Sequence, residues 1–429
     1  MITGYNKSYS LERVSSGFPK FSNLVLCGRN VNTNIEKMKR SIILQVDSDR
    51  PHLQSLALKI HANPELGLHE IKASQWLSDY LNEKGFTIER GICEMPTAFR
   101  AVYGKGAPNI GLLAEYDALP GVGHACGHNL ICTIALGAAV AAKAAVERYG
   151  GCVTVIGTPA EENYGGKIVM ARQGAFSDLD AAILVHPDVV DNAAVPAIAC
   201  QQMNVEFFGR GAHASANPAD GVNALDAMIL SFNNINALRQ QIPGTARVHG
   251  IITDGGQAPN IIPAHSAGEF YARAADNAYL DILLEKVLNC FVGAAAATGA
   301  RLEYKPDPLR YASLRINMNL AQLYVNNMRL LGREVKLAEG SVPLNVGSTD
   351  MGNVSHVTAA IHPALAIAPK GVSLHSTEFA TAAASETGLK GMCDAAKAVA
   401  MTVVDLLSNS DSMKMVKEEF KQKEQQENK

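Results

Sequence analysis

The sequence predicts an α/β protein with a mainly parallel sheet, interrupted by an inserted α+β unit with an antiparallel sheet. Nearly continuous apolar runs at 110–117, 152–159 and 181–187 alternate with helical stretches rich in small residues. This alternation is typical of parallel strands covered on both faces. From residue 200 the strands become half polar and flank two long helices, which favours an antiparallel sheet with one open face. The parallel pattern then resumes at 359–368.

These changes in pattern divide the chain into four predicted parts. At 429 residues the chain is longer than one hydrophobic core usually supports, so two domains are expected. The predicted parts are a disordered leader at 1–40, a discontinuous α/β domain at 41–199 and 308–410, an inserted domain at 200–307, and a charged, solvated tail at 411–429.

Composition excludes several kinds of function. The chain has 38 Lys and Arg against 41 Asp and Glu, so neither a basic stripe for nucleic acid nor a footprint for an anionic membrane is expected. We expect no membrane span and no secretory signal. The eight cysteines include no CxxC pair, which favours a reducing, cytoplasmic setting. A mitochondrial leader within residues 1–40 is the minor alternative.

Acidic and imidazole side chains fall at the ends of the predicted parallel strands. Asp117 ends the first strand, Glu161 and Glu162 follow the second, and His186 ends the third. Ligands of open α/β sheets bind in the crevice at the carboxyl ends of the strands. The sequence therefore predicts that these side chains converge on one crevice.

The segment HACGHN opens the helix after the first strand. Its Cys126 and His128 are two residues apart on a Gly-containing turn, a spacing that lets a thiolate and an imidazole reach one ion. A helix N-terminus also favours the thiolate. A free cysteine beside a buried histidine is the equally open alternative. His375, which follows a strand of the resumed domain, could complete a metal site.

Glu161 and Glu162 are adjacent carboxylates after an apolar strand, an arrangement that is costly unless something pairs with them. On a turn their side chains point apart, so one could bind metal while the other faces water. A metal lowers the pKa of its water, and a nearby carboxylate takes the proton. A solvated loop pair is the alternative. His213, in GRGAHAS, is either a packed imidazole or a donor to an oxyanion.

Seven motifs then carry a resemblance to a known family. In chain order, over about residues 45–410, they are AEYDALP, GHACGHN, GTPAEENYGG, ILVHP, GRGAHAS, GGQAPNIIP and LHSTEF. With them the chain resembles the M20 metallopeptidase family, and within it a dipeptidase-like group of the amidohydrolase branch. The resemblance implies hydrolysis of the amide bond of dipeptides or N-acyl amino acids, small-molecule substrates.

The resemblance also implies roles for individual residues. Glu161 would be the general base, Asp117 would orient a metal ligand, and His213 and Asn260 of the inserted domain would contact the substrate. That domain commonly forms a dimer, in which the equivalent of His213 reaches the neighbouring subunit's site. The implied ligands of two divalent metals are Cys126, His128, Glu162, His186 and His375. Such a mixed set suits Zn²⁺ and admits Mn²⁺ or Co²⁺.

Two departures and two other hypotheses accompany this resemblance. Many members of the branch have Asp where this chain has Glu115 and Asn129. One alternative is a cysteine hydrolase that uses Cys126 with His128 or His124. The other is a metal-binding paralogue without activity. Arg273 and Arg315 are candidate anchors for a substrate carboxylate, although no pattern places either in the crevice.

Overall fold

The fold is described from a computed structural model, which describes residues 29–337 and 346–427. Within these residues the helices are α1 (Arg29–His61), α2 (Ile71–Glu83), α3 (His128–Tyr149), α4 (Gly166–Arg172), α5 (Ala224–Leu238), α6 (Asn277–Thr298), α7 (Met318–Leu330), α8 (Met351–Ser355), α9 (Thr377–Ala383), α10 (Glu386–Ser408) and α11 (Ser410–Glu427).

The strands of the same residues fall into three sheets. They are β1 (Thr87–Arg90), β2 (Phe99–Lys105), β3 (Asn109–Ala114), β4 (Gly151–Gly157), β5 (Ala181–Ile183), β6 (His186–Asp188), β7 (Ala199–Phe208), β8 (Arg247–Asp254), β9 (His265–Ala274), β10 (Arg301–Pro306), β11 (Ala360–Ile361) and β12 (Ala364–Ala366).

The main sheet has the order β1-β2-β4-β3-β5-β11. β3 pairs in parallel with β4 and β5, and β5 pairs in parallel with β11. Every residue of β3 and β4 is buried, as the continuous apolar runs predict. β1 and β2 add an antiparallel edge that the sequence analysis did not predict. The mainly parallel α/β class is confirmed, with this edge as an addition.

Helix α3 packs between α1 and α10 against the main sheet. It alone among the described helices is long and apolar enough to cross a membrane, but 89% of its most apolar window is buried inside the fold. Small residues allow this close packing. At Gly137, for example, an added Cβ would lie 2.9 Å from a side-chain carbon of Leu53 on α1. The apolar character of α3 therefore belongs to a core helix.

The segment from Ala199 to Pro306 forms a second unit with its own hydrophobic core. Its sheet has the antiparallel order β10-β7-β9-β8. Burial alternates along β7 and β9, because one face of the sheet is covered by α5 and α6. Both helices begin at a side-chain cap, from Asn223 and Asp276. The predicted antiparallel α+β insertion is confirmed.

Two predicted strands are each divided in the structure. The run 181–187 forms β5 and then β6, while 359–368 forms β11 and then β12. β6 and β12 pair with each other in parallel, with His186 opposite Ala364. The second pair extends beyond the carboxyl edge of the main sheet, so His186 lies past that edge instead of within it.

The predictions for the two chain ends need correction. Residues 1–28 of the expected leader lie outside the described residues, but residues 29–40 belong to α1 and are not a disordered leader. Residues 411–427 belong to α11 and are not a solvated tail. Glu419 of α11 accepts hydrogen bonds from the backbone N–H groups of Met318 and Asn319, each at 2.8 Å. A carboxylate at a helix N-terminus is stabilising, so the charged end docks on α7.

Candidate metal centre

The candidate site lies where the loops after the central strands meet the loop before α9. β3 leads to Asp117, β4 to the two adjacent glutamates, and β5 to β6. Together the loops enclose a cavity of about 360 Å³. The candidate residues that line it are Cys126, Glu161, Glu162, His186 and His375.

Five side chains, here called the donor cluster, present metal-binding atoms to one another. The Sγ atom of Cys126 lies 3.4 Å from Nε2 of both His186 and His375. The carboxylate of Glu162 lies 3.6 Å from Nε2 of His375 and 3.7 Å from Nε2 of His128. Cys126 belongs to two groups of three donors, each within 4.8 Å: one with His128 and His186, the other with Glu162 and His375. One thiolate therefore lies between two possible ion positions.

The partners of these atoms test whether the cluster fits a cation. Nε2 of His128 and Oε1 of Glu162 are buried and have no hydrogen-bond partner among the described residues. Buried polar atoms without a partner are costly and rare in folded proteins. A set of thiol, imidazole and carboxylate donors with free lone pairs matches the ligands of Zn²⁺ and similar divalent ions. The donor cluster therefore fits divalent metal ions.

Neighbouring groups orient the donor cluster. Asp117 Oδ1 lies 2.9 Å from Nδ1 of His128, and Asp117 Oδ2 accepts a hydrogen bond of 3.0 Å from the backbone N–H of Glu162. Although burial opposes it, the His128 ring lowers the pKa of Asp117. Nδ1 of His186 lies 2.7 Å from the Pro187 carbonyl. With Nδ1–H donated there, Nε2 of His186 carries the lone pair that faces Cys126.

Two residues of the site hold left-handed backbone conformations. Ala160, just before Glu161, has φ 59°, and His375 has φ 63°. Such conformations cost free energy for residues other than glycine and cluster at functional sites. Hydrogen bonds hold both: the Ala160 N–H donates to Glu70 Oε1 at 2.8 Å, and the His375 N–H donates to the Ala125 carbonyl at 2.9 Å. The turns that carry the two adjacent glutamates and His375 are thus fixed by buried contacts.

A second buried cluster, here called the lysine cluster, consists of Glu115, Lys167 and Asp350. The Lys167 ammonium lies 2.5 Å from Glu115 Oε1 and 2.6 Å from Asp350 Oδ1. The Lys167 backbone N–H also donates to Asp350 Oδ2 at 2.9 Å. Although burial opposes it, this ammonium lowers the pKa of Glu115 to about 2. The cluster is therefore a charged set with its cation supplied by the chain.

Glu161 lies between the two clusters. Its carboxylate is within 4.8 Å of donor atoms of His128 and Glu162 on one side, and of Glu115 and Asp350 on the other. Burial, with Asp350 and Glu115 adding to it, raises the pKa of Glu161 well above its usual range. A carboxylate with a raised pKa beside a metal site has the character of a proton acceptor.

The substrate residues expected from the inserted unit do not reach this cavity within one chain. His213 and Asn260 are exposed and do not line it. They are neighbours, since the Ala214 N–H donates to the Asn260 carbonyl at 3.0 Å. Nδ1 of His213 accepts hydrogen bonds from the N–H groups of Ser215 and Ala216, at 3.3 and 3.2 Å. The neutral ring therefore carries its proton on Nε2, which is a free donor.

The other residues named from the sequence have distinct places. Arg273 donates to Ser348 Oγ at 3.1 Å, and Ser348 lines the cavity. Arg315 instead pairs with Glu427 of α11 at 2.5 Å. The amide of Asn129 donates to the carbonyls of Ala57 and Ala383 at 3.3 and 3.1 Å. An Asp has no N–H to donate, so Asn129 is a structural tie and not a ligand. His124 is buried and belongs to none of the donor groups.

The sequence analysis missed three buried residues that shape the site: Lys167, Asp350 and Glu70. Lys167 lies in a short helix and Asp350 is 183 residues away along the chain, so no local pattern relates them. Glu70 precedes α2 and supports the Ala160 turn. A Lys or Glu in a helical pattern normally faces solvent, and only the tertiary fold shows that these are buried.

Comparison with known proteins agrees with this fold and site. The sequence model of a peptidase dimerisation domain matches residues 201–297. Xaa-Arg dipeptidase of Mus musculus is 36% identical over 414 residues, which cover 93% of this chain and 96% of that protein. A p-aminobenzoyl-glutamate hydrolase protein from Escherichia coli K12 is 31% identical over 463 residues, covering 90% of this chain and 96% of that protein.

Solved structures share the architecture at lower identity. A putative aminohydrolase from methicillin-resistant Staphylococcus aureus has a TM-score of 0.73 and 18% identity, and covers 86% of this chain and 100% of its own. A dinuclear metal-binding peptidase of the M20 family from Bacillus subtilis has a TM-score of 0.66 and 18% identity, and covers 84% and 99%. With two relatives above 30% identity over almost their whole length, the chain belongs to the M20 family of peptidases and amidohydrolases.

Proposed function

We propose that the protein hydrolyses the amide bond of dipeptides or N-acyl amino acids, with divalent metal ions in the donor cluster and Glu161 as the general base. The observation that carries this proposal is the pair of partnerless buried donor atoms, His128 Nε2 and Glu162 Oε1, beside a carboxylate with a raised pKa. The relatives' names, a dipeptidase and a p-aminobenzoyl-glutamate hydrolase, support this class of substrate.

The proposed ligands are Cys126, His128, Glu162, His186 and His375, for two ions of Zn²⁺ or Mn²⁺, with Co²⁺ as a third choice. When bound, such ions polarise the scissile carbonyl and lower the pKa of water. Asp117 holds both His128 and the Glu162 turn in place. The structural similarity to the Bacillus subtilis protein, a dinuclear metal-binding peptidase, supports the pair of ions.

Glu161 moves the proton in this proposal. It accepts a proton from the attacking water as the new carbon–oxygen bond forms, and then delivers it to the amine nitrogen as the carbon–nitrogen bond breaks. Its raised pKa suits both halves of this transfer. No external acid is needed, because one carboxylate serves in both directions.

The second unit completes the site in a homodimer. His213 carries a free Nε2–H and is exposed in one chain, which suits a donor that stabilises the oxyanion in the site of the partner copy. Asn260 lies beside it as a further substrate contact. The match of residues 201–297 to a peptidase dimerisation domain supports this assembly. Arg273, next to the cavity residue Ser348, is the proposed anchor for the substrate carboxylate.

The contacts of Cys126 disfavour a cysteine hydrolase. Its Sγ lies among two imidazole nitrogens, and burial raises the pKa of the thiol well above its usual range. A nucleophilic cysteine requires a lowered pKa and access to substrate. Alkylation that abolishes turnover in a chelator-resistant enzyme would revive that hypothesis.

The test is hydrolysis of a dipeptide and N-acyl-amino-acid panel by metal-loaded wild type, Glu161→Gln and the control Glu89→Gln, which removes an exposed carboxylate. We expect turnover by wild type and control, abolished by chelator and restored by metal. We expect Glu161→Gln to bind metal and to lose about 10²–10⁴-fold in kcat. Wild-type activity in Glu161→Gln would contradict the general base, and a metal-loaded wild type that hydrolyses no substrate would favour the inactive paralogue.

A further inference from the structure

The cavity at the donor cluster extends beyond the metal-binding atoms. Its further walls are largely apolar, formed by Val195, Pro196, Ala197 and Leu374. One carboxylate also lines it that belongs to none of the possible metal groups, that of Asp188. The cavity therefore combines an apolar wall with a single acidic group away from the donors.

Strand β6 places this carboxylate on the side of the donor cluster. His186 and Asp188 are alternate residues of β6, whose register is held by pairing with β12. Alternate side chains of a strand share a face and lie about 7 Å apart. A substrate whose amide bond lies at the donor cluster would thus direct a side chain of moderate length toward Asp188.

Asp188 has no cationic partner within the described parts of the chain. Its Oδ1 accepts a hydrogen bond of 2.5 Å from the N–H of Val189, and no Lys, Arg or His nitrogen of those parts lies within 4.0 Å. Asp191, three residues later, differs because Arg333 binds it at 2.8 Å. The chain therefore neutralises the carboxylate outside the cavity and leaves the one inside it unpaired.

We propose that Asp188 is a specificity residue that binds a positively charged side chain of the substrate, such as that of lysine or arginine. This inference rests on the proposed function. Lysine and arginine have an apolar stem and a charged head, which match the apolar wall and the carboxylate. An acidic side chain would meet only repulsion at Asp188, so acidic substrates are disfavoured.

The test compares arginine with citrulline, which has nearly the same shape without the charge. Values of kcat/KM are measured for Ala-Arg against Ala-citrulline and for Arg-Ala against citrulline-Ala. The proteins are wild type, Asp188→Asn, the charge reversal Asp188→Lys, and the control Asp226→Asn, an exposed carboxylate of α5. A charged hydrogen bond in a half-buried site predicts about a tenfold preference for arginine at one position in wild type and control.

In Asp188→Asn the ratio should fall to about one, and in Asp188→Lys it should invert. Equal use of both substrates by wild type, or a preference that survives in Asp188→Asn, would overturn the proposal. Binding of free arginine and citrulline to the metal-loaded proteins, by calorimetry, separates it from the proposed function. Preferential arginine binding that depends on Asp188 without any hydrolysis would sink only the function, whereas equal binding of both would sink the inference.

Discussion

The donor cluster and the lysine cluster are both buried at the carboxyl ends of the main sheet, and they neutralise their charge differently. In the lysine cluster the Lys167 ammonium contacts both Glu115 and Asp350 within 2.6 Å. In the donor cluster, buried atoms of His128 and Glu162 have no partner in the described structure. The difference teaches that the chain supplies a cation where charge is structural and leaves lone pairs free where a ligand is to bind.

Glu70 is a third buried carboxylate, and it has neither kind of cation. It accepts hydrogen bonds from the Ala160 N–H and from Thr97 Oγ1, at 2.8 and 2.9 Å. Burial raises the pKa of Glu70 to about 7. Its carboxyl group is therefore neutral in acid and becomes a buried charge only as the pH approaches neutrality.

The largest effect on stability is expected from Lys167→Met, which leaves the carboxylates of the lysine cluster without a cation. Removal of one partner from a buried ion pair costs about 3–5 kcal/mol. Denaturant unfolding of the metal-loaded protein should show this loss, and Lys390→Met, at an exposed pair, should lose less than about 1 kcal/mol. Adding Glu115→Gln and Asp350→Asn to Lys167→Met should recover part of the loss. Equal stability of Lys167→Met and wild type would contradict the role of the cluster.

A smaller, pH-dependent effect is expected from Glu70→Gln. Because the folded-state pKa of Glu70 is about 7 against an ordinary value of 4.5, the folded state binds more protons between these values. Its contribution to stability is thus present at low pH and falls as the pH rises from 4.5 to 7. Relative to wild type, Glu70→Gln should gain stability across this window, by up to about 3 kcal/mol.

The measurement for Glu70→Gln is the free energy of unfolding from pH 4.5 to 8, with Glu89→Gln as a control for the loss of one negative charge. The difference between wild type and Glu70→Gln should grow with pH. A difference that stays constant would show that Glu70 does not titrate in this window.

The smallest effect is expected from Asp117→Asn, which keeps the shape of the side chain that orients the donor cluster. The loss of this carboxylate weakens the hold on His128 Nδ1 or on the Glu162 N–H. Such losses typically reduce metal affinity by about 10–100-fold. Competition with a chromophoric chelator should show this change, with Asp226→Asn as the control. Unchanged affinity would place Asp117 outside the metal-binding apparatus.

Convergence at the strand ends was predictable from the sequence. Asp117, Glu162 and His186 follow three apolar runs, and parallel strands present their carboxyl ends at one edge. The antiparallel edge was not predictable in the same way, because β1 is a four-residue strand with two charged side chains, TIER, and no continuous apolar run.

Residues that act through tertiary contacts were beyond sequence reasoning. Asp350 meets Lys167 across 183 residues of chain. The charged composition of 411–429 predicted a solvated tail, but the carboxylate of Glu419 meets the N-terminus of α7. In each case the partner is set by the fold and leaves no periodicity in the sequence.

The contrast between the two clusters is tested most directly by counting metal. Wild type, Glu162→Gln and Asp350→Asn are saturated with Zn²⁺, dialysed and analysed for zinc per chain, with folding checked by circular dichroism. We predict about two ions per chain for wild type and Asp350→Asn, and fewer for Glu162→Gln, since the free donors lie in one cluster and the neutralised charges in the other. Loss of zinc in Asp350→Asn with full retention in Glu162→Gln would contradict this division.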